Sequence, residues 1–86
     1  MKLKGLLNKL DLDTKLEIYP QCEGEYQSFL IEEFSFMGKM GDLTHAKYEN
    51  LQDKKVGDVI SISPDGTLVI PVDATFLDER FGVKEK

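Results

Sequence analysis

The chain has 86 residues, 41% hydrophobic and 31% charged, with a net charge of −5. A chain of this length makes one domain and buries only about 60–65% of the surface its unfolded form exposes, and its acidity disfavours direct binding to nucleic-acid phosphate, which depends on Lys and Arg. No apolar run approaches the roughly 18–20 residues that cross a bilayer, and Met1-Lys2-Leu3-Lys4 lacks the apolar core of a signal peptide, so no membrane contact and a cytosolic location are expected.

Leu3, Leu6, Leu7 and Leu10 follow the i, i+3, i+4, i+7 spacing of one helix face, with Lys2, Lys4, Asn8 and Lys9 on the other. So short a helix is marginal by itself and must pack on a sheet. Asp11-Leu12-Asp13 makes a turn: the further oxygen ligands and the glycine of a calcium loop do not follow at the needed spacing. From Thr14 to Tyr19 the chain alternates, Leu16 and Ile18 against Lys15, Glu17 and Tyr19, which predicts a half-exposed strand ended by Pro20.

Gln21 to Glu25 reads as a hairpin loop, and Tyr26 to Phe36 as a second strand with a bulge at Glu32-Glu33. Neighbours on a strand point to opposite faces, so those two glutamates are not a catalytic carboxylate pair. Met37-Gly38-Lys39-Met40-Gly41 is expected to be a loop whose methionines suit an adaptable contact surface; its Gly-Lys pair lacks the rest of a phosphate loop. Asp42 is placed as the N-cap of a second helix over Leu43 to Leu51, with His45 a surface side chain in its first turn.

The clearest statement in the sequence is Asp58 to Val72, a β-hairpin turning at Ser63-Pro64-Asp65-Gly66, where Pro64 presets φ and Gly66 takes a positive φ. Ile60 and Ile62, and Leu68, Ile70 and Val72, are assigned to its apolar face. Pro71 cannot donate to a ladder and places its strand at a sheet edge or end. Thr75 to Phe81 suits a helix stopped by Gly82, with Val83 to Lys86 fraying. The expected fold is a single α+β domain of residues 1–86. About four antiparallel strands in two hairpins are packed by an N-terminal helix, a middle helix and a C-terminal helical turn.

Chemistry is sparse. Cys22 is the only cysteine and His45 the only histidine, so neither a disulfide nor a metal-ligand pattern can be written, and no cofactor, metal or catalytic residue is expected. Charge is informative by its distribution. Between Lys15 and Lys39 lie Glu17, Glu23, Glu25, Glu32 and Glu33 with no basic residue, and between Lys55 and Arg80 lie Asp58, Asp65, Asp73, Asp78 and Glu79, again with none. The candidate partner-binding residues are therefore Glu17, Glu23, Glu25, Glu32, Glu33, Asp58 and Asp65.

The combination of Lys2-Leu3, Leu6-Leu7 and Leu10 with Asp13-Thr14-Lys15-Leu16, Ile18-Tyr19 and the hairpin Val59, Ile62, Asp65-Gly66, Leu68-Val69-Ile70 resembles small accessory proteins of Gram-positive phages and prophages. The resemblance covers the first nineteen residues and the hairpin, and its motifs are structural. It implies a compact helix-plus-sheet protein in a group whose members include inhibitors of host defence, anti-CRISPR proteins among them. The functional expectation is a non-enzymatic protein of the host cytosol that offers carboxylates to a partner with a basic surface. The alternative is a homo-oligomeric structural or small-ligand-sequestering phage protein that uses leftover aromatic side chains as an interface.

Overall fold

The computed structural model describes residues 1–57 and 59–81. Its centre is the alternating strand β1 (Lys15–Gln21), which buries Leu16 and Ile18 and turns Lys15 and Tyr19 to solvent. Strand β4 (Leu68–Asp73) runs parallel beside it, with Leu16 level with Leu68 and Ile18 with Ile70. Strand β2 (Phe36–Lys39) is antiparallel on the other side of β1, and the two-residue β3 (Ser61–Ile62) is antiparallel to β4. The order β2-β1-β4-β3 makes the sheet mixed, not wholly antiparallel as expected. A parallel neighbour needs a crossover, here residues 22–67 between β1 and β4, which include β2, helix α3 (His45–Leu51) and β3.

Side-chain alternation sends the even-numbered residues of β1 and β4 to one face. Leu16, Ile18, Ile70 and Val72 there meet Leu3 and Leu7 of α1 (Leu3–Leu7) and Leu51 of α3, and all seven are fully buried. The leucine stripe thus does what its spacing predicts. The opposite face is more open: Lys15, Tyr19, Met37 and Lys39 are exposed, and Glu17 and Val69 half-buried. A smaller aromatic cluster ties the remaining helices together. Phe34, just after α2 (Ser28–Glu32), packs edge-on against Phe76 of α4 (Thr75–Phe81) with centroids 5.2 Å apart. The Lys54 ammonium lies 4.6 Å from the Phe76 ring centre and 5.3 Å from that of Phe34, a cation–π contact with both.

Pro20 and Pro71 both sit inside strands, where their sequence context did not place them. Ala74 N–H donates to the Gln21 carbonyl at 3.0 Å, so the odd residues of β1 face β4 and the even ones face β2. The missing N–H of Pro20 therefore points past Phe36, where β2 has not begun. β1 does not end at Pro20 but runs on to Gln21. In β4 the odd residues face the other way: the Pro71 carbonyl accepts from Gly57 N–H at 2.8 Å, and Asp73 N–H donates to the Lys55 carbonyl at 2.7 Å. Pro71 is buried in a strand paired on both sides, contrary to the expected edge position; its absent donor points away from β1, toward Gly57, beyond which the pairing is interrupted.

That interruption is a bulge. Val56 bridges Val72, which sets Gly57 level with Pro71, and Ser61 is level with Val69. Between those two levels β4 has only Ile70, and Val59 and Ile60 lie outside the regular pairing. Val59 and Ile62 are 70% exposed and Ile60 40%, so Ile60 and Ile62 are not core residues as the hairpin pattern suggested. Beyond residues 55–57, the N-terminus adds a last rung, with Leu3 N–H on the Lys54 carbonyl and Val56 N–H on the Met1 carbonyl, both at 2.8 Å.

The turn itself is as read. Ser63 N–H donates to the Thr67 carbonyl, Gly66 N–H to the Ser63 carbonyl, and Gly66 has φ +91°, the left-handed position of a three-residue hairpin loop. Tyr26 to Phe36 departs most from expectation. Residues 28–32 are helical, Ser35 Oγ donates back to the Ile31 carbonyl at 2.7 Å, and the strand begins only at Phe36, where the expected one ends, and runs to Lys39 through residues assigned to a loop. Leu30, Ile31 and Phe34 follow helical spacing as well as they follow an alternation around a bulge. The middle helix is capped by Thr44, whose hydroxyl accepts from Lys47 N–H at 3.2 Å, and not by Asp42, which belongs to a 3-10 turn over Met40–Asp42. The C-terminal helix spans Thr75–Phe81 as expected; Asp58, Gly82 and the tail beyond it lie outside the described residues.

Candidate functional site

Where β2 stops and β1 continues, the sheet leaves a step, and helices α2 and α3 wall it in. The result is a cleft of about 440 Å³ lined by Glu17, Ile18, Tyr19, Glu32, Ser35, Phe36, Met37 and Lys47. Glu17 and Met37 are direct cross-strand partners and share the open face of the sheet. Glu32 comes from the end of α2. The Lys47 ammonium donates to the Glu32 backbone carbonyl, which ties α3 to α2. Among the described residues the only side-chain approach of ion-pair length is His45 to Glu49, at 3.3 Å on the exposed side of α3, so no Lys or Arg among them lies within 4 Å of the Glu17 or Glu32 carboxylates. His45 is a surface side chain, as expected.

Of the seven residues expected to meet a partner, the fold brings together two, Glu17 and Glu32. Glu33 follows the end of α2 and is exposed but does not line the cleft. Glu23 and Glu25 are exposed on the loop between β1 and α2. Asp65 lies at the far end of β1, in a smaller recess of about 340 Å³ shared with Lys15, Lys39 and Asp42. Its carboxylate is occupied by the turn, accepting from Ser63 Oγ and, at 3.1 Å, from Thr67 N–H. Those bonds hold its pKa down to about 2. Asp58 lies outside the described residues. Tyr19, Phe36 and Lys47 were not singled out from sequence; they become cleft walls through strand register and helix packing, for which the sequence carries no local signal.

A second polar cluster was also missed. The Asp78 carboxylate, on α4, accepts from Glu23 N–H at 3.0 Å, from Gly24 N–H at 2.9 Å and from the Tyr26 hydroxyl. The Glu23 N–H first, then Tyr26 and Gly24, hold the Asp78 carboxyl below the usual carboxylate range. In return Asp78 pushes the Tyr26 phenol up to about 12. Burial, with Asp78 behind it, raises the Cys22 thiol, whose Sγ–H donates to the Gly24 carbonyl at 3.7 Å. A protonated thiol beside a carboxylate is a poor nucleophile. The cluster is a latch that fixes the acidic loop to α4.

The latch has a pH signature. Asp65, Asp73 and Asp78 all have lowered carboxyl pKa values in the folded chain. A lowered folded pKa means stability that is complete above the unfolded value, 3.8, and is lost as pH falls through the folded one. Thermal melts should therefore decline between about pH 4 and about pH 2. Asp78→Asn should lower the melting temperature at neutral pH, flatten part of that acid decline, and speed hydrogen exchange at Glu23 and Gly24. An unchanged exchange rate at those two amides would remove the latch.

Among the described residues no group of three or more His, Cys, Asp or Glu side chains is placed to hold a metal ion, and no helix is long and apolar enough to cross a membrane. Comparisons with protein-family models, curated proteins and solved structures gave no match.

Proposed function

We propose that the chain is a small non-enzymatic interaction protein that presents carboxylates to a basic protein surface, of the kind a nucleic-acid-binding protein uses for phosphate, and inhibits it by occupying that surface. A host defence protein is the target class that the resemblance to phage accessory proteins brings to this reading. The observation that carries it is that Glu17 and Glu32 line one cleft, next to a sheet face left open to solvent, and that among the described residues neither carboxylate is ion-paired, the Lys47 ammonium in the same cleft being held by the Glu32 backbone carbonyl. Glu23, Glu25 and Glu33 belong to the same lysine-free segment and add to the field that steers encounter.

The test is retention of a basic partner from host lysate while salt rises from about 0.1 to about 1 M, over which the screening length falls from roughly 10 to roughly 3 Å. Binding should weaken steeply over that range. A complex indifferent to ionic strength would rule out carboxylate mimicry. A second reading, a homo-oligomeric structural or ligand-sequestering protein, draws on the exposed Val59, Ile60 and Ile62 at the bulged edge. Light scattering separates the two: a strict monomer across a wide concentration range counts against the oligomer.

A further inference from the structure

We infer that the cleft between β1, α2 and β2 receives one arginine side chain of the partner. The inference rests on the reading above that the partner is a basic protein, and it names the residue that is read. The cleft is mostly apolar in its walls, Ile18, Tyr19, Phe36 and Met37, with Glu17 and Glu32 approaching from two different elements. That combination matches a side chain with an apolar stem and a cationic head: the stem lies on the thioether and rings, and the head meets the carboxylates. The recess is open to solvent, and its volume, about 440 Å³, is enough to seat one side chain.

Arginine is favoured over lysine on two grounds. A planar guanidinium has five donors in a fork and can bond two carboxylates at once, whereas an ammonium is a point charge. It is also the less strongly hydrated cation and stacks on aromatic faces such as those of Tyr19 and Phe36. Lys47 works against any cation. Its ammonium is held at the Glu32 carbonyl and places a like charge at the cleft. The signs of three substitutions are therefore fixed in advance: Glu17→Gln and Glu32→Gln weaken arginine, and Lys47→Gln strengthens it.

The experiment is a magnetic-resonance titration of the isotope-labelled chain at low salt with blocked tripeptides Gly-X-Gly, where X is arginine, lysine or citrulline. The arginine peptide should give saturable shifts at the amides of Tyr19, Glu32, Ser35 and Met37. Lysine should bind about threefold more weakly and the uncharged citrulline about tenfold, the difference between a charged and a neutral hydrogen-bond donor. The variant Glu17→Gln/Glu32→Gln should weaken arginine about tenfold and Lys47→Gln should tighten it about twofold, with Glu33→Gln unchanged. Well-dispersed spectra identify variants that remain folded. Equal affinity for lysine and arginine, shifts as large at Glu23, Glu25 and Asp65 as in the cleft, or an unaffected double variant would each overturn the inference. If the peptide does not seat but salt-sensitive partner binding persists, the arginine pocket fails and the proposed function stands. If the peptide seats but partner binding ignores salt, the reverse holds.

Discussion

Ile70→Ala is expected to lower the unfolding free energy by about 3 kcal/mol, a third or more of the roughly 5–10 kcal/mol available to a domain of this size. Ile70 is fully buried in β4, level with Ile18 on β1, and packs in the cluster that also holds Leu3, Leu7 and Leu51. Removing its three terminal carbons forfeits their transfer free energy and leaves a cavity bounded by strands on a fixed register, which cannot easily collapse. The control is Ile62→Ala. The same chemical change at a 70% exposed position on β3 should shift stability by no more than about 0.5 kcal/mol. Urea denaturation of both variants measures the contrast. Equal losses at the two positions would mean that Ile62 on β3 is packed as Ile70 is and does not face solvent.

What the sequence discloses about this fold is what local spacing can encode. The leucine stripe at Leu3 and Leu7, the alternation at Leu16 and Ile18, the turn at Gly66 and the helix Thr75–Phe81 each depend on residues within one element, and each stands where its pattern placed it. The failures share a different cause. Pro20 and Pro71 read as strand ends because proline lacks a donor, yet whether a donor is needed depends on which neighbour lies on that side. That is a property of the strand order β2-β1-β4-β3, in which β1 and β4 are partners across more than forty residues of intervening chain. Ser28 to Phe36 is short, carries no side-chain N-cap bond, and fits two periods at once, so contacts from elsewhere, Phe34 on Phe76 and Lys54 and the Lys47 ammonium on the Glu32 carbonyl, favour the helix. The candidate site inherits this limit. Charge distribution pointed to the segment that holds Glu17 and Glu32, but their meeting in one cleft depends on α2 being a helix, and the other walls come from six further residues on β1, β2, α3 and the turn after α2.

Reversing both cleft charges, Glu17→Lys/Glu32→Lys, should reduce affinity for a basic partner about a hundredfold, if each close contact contributes about 1.5 kcal/mol. Total charge changes by the same amount in Glu25→Lys/Glu33→Lys, which alters two exposed carboxylates that do not line the cleft. Charges outside a contact act mainly on the rate of encounter and are screened by salt. At about 0.15 M salt, where the screening length is about 8 Å, that control should cost only a few-fold, and its loss should lie in the association rate. The cleft variant should instead lose most of its affinity through faster dissociation, because the groups it alters would lie in the contact itself. Surface plasmon resonance of the partner over the three immobilised chains resolves the two rates. Equal losses in both variants would show that the partner senses overall charge alone, and the convergence of Glu17 and Glu32 would then be a consequence of how β1 meets α2, with no part in recognition.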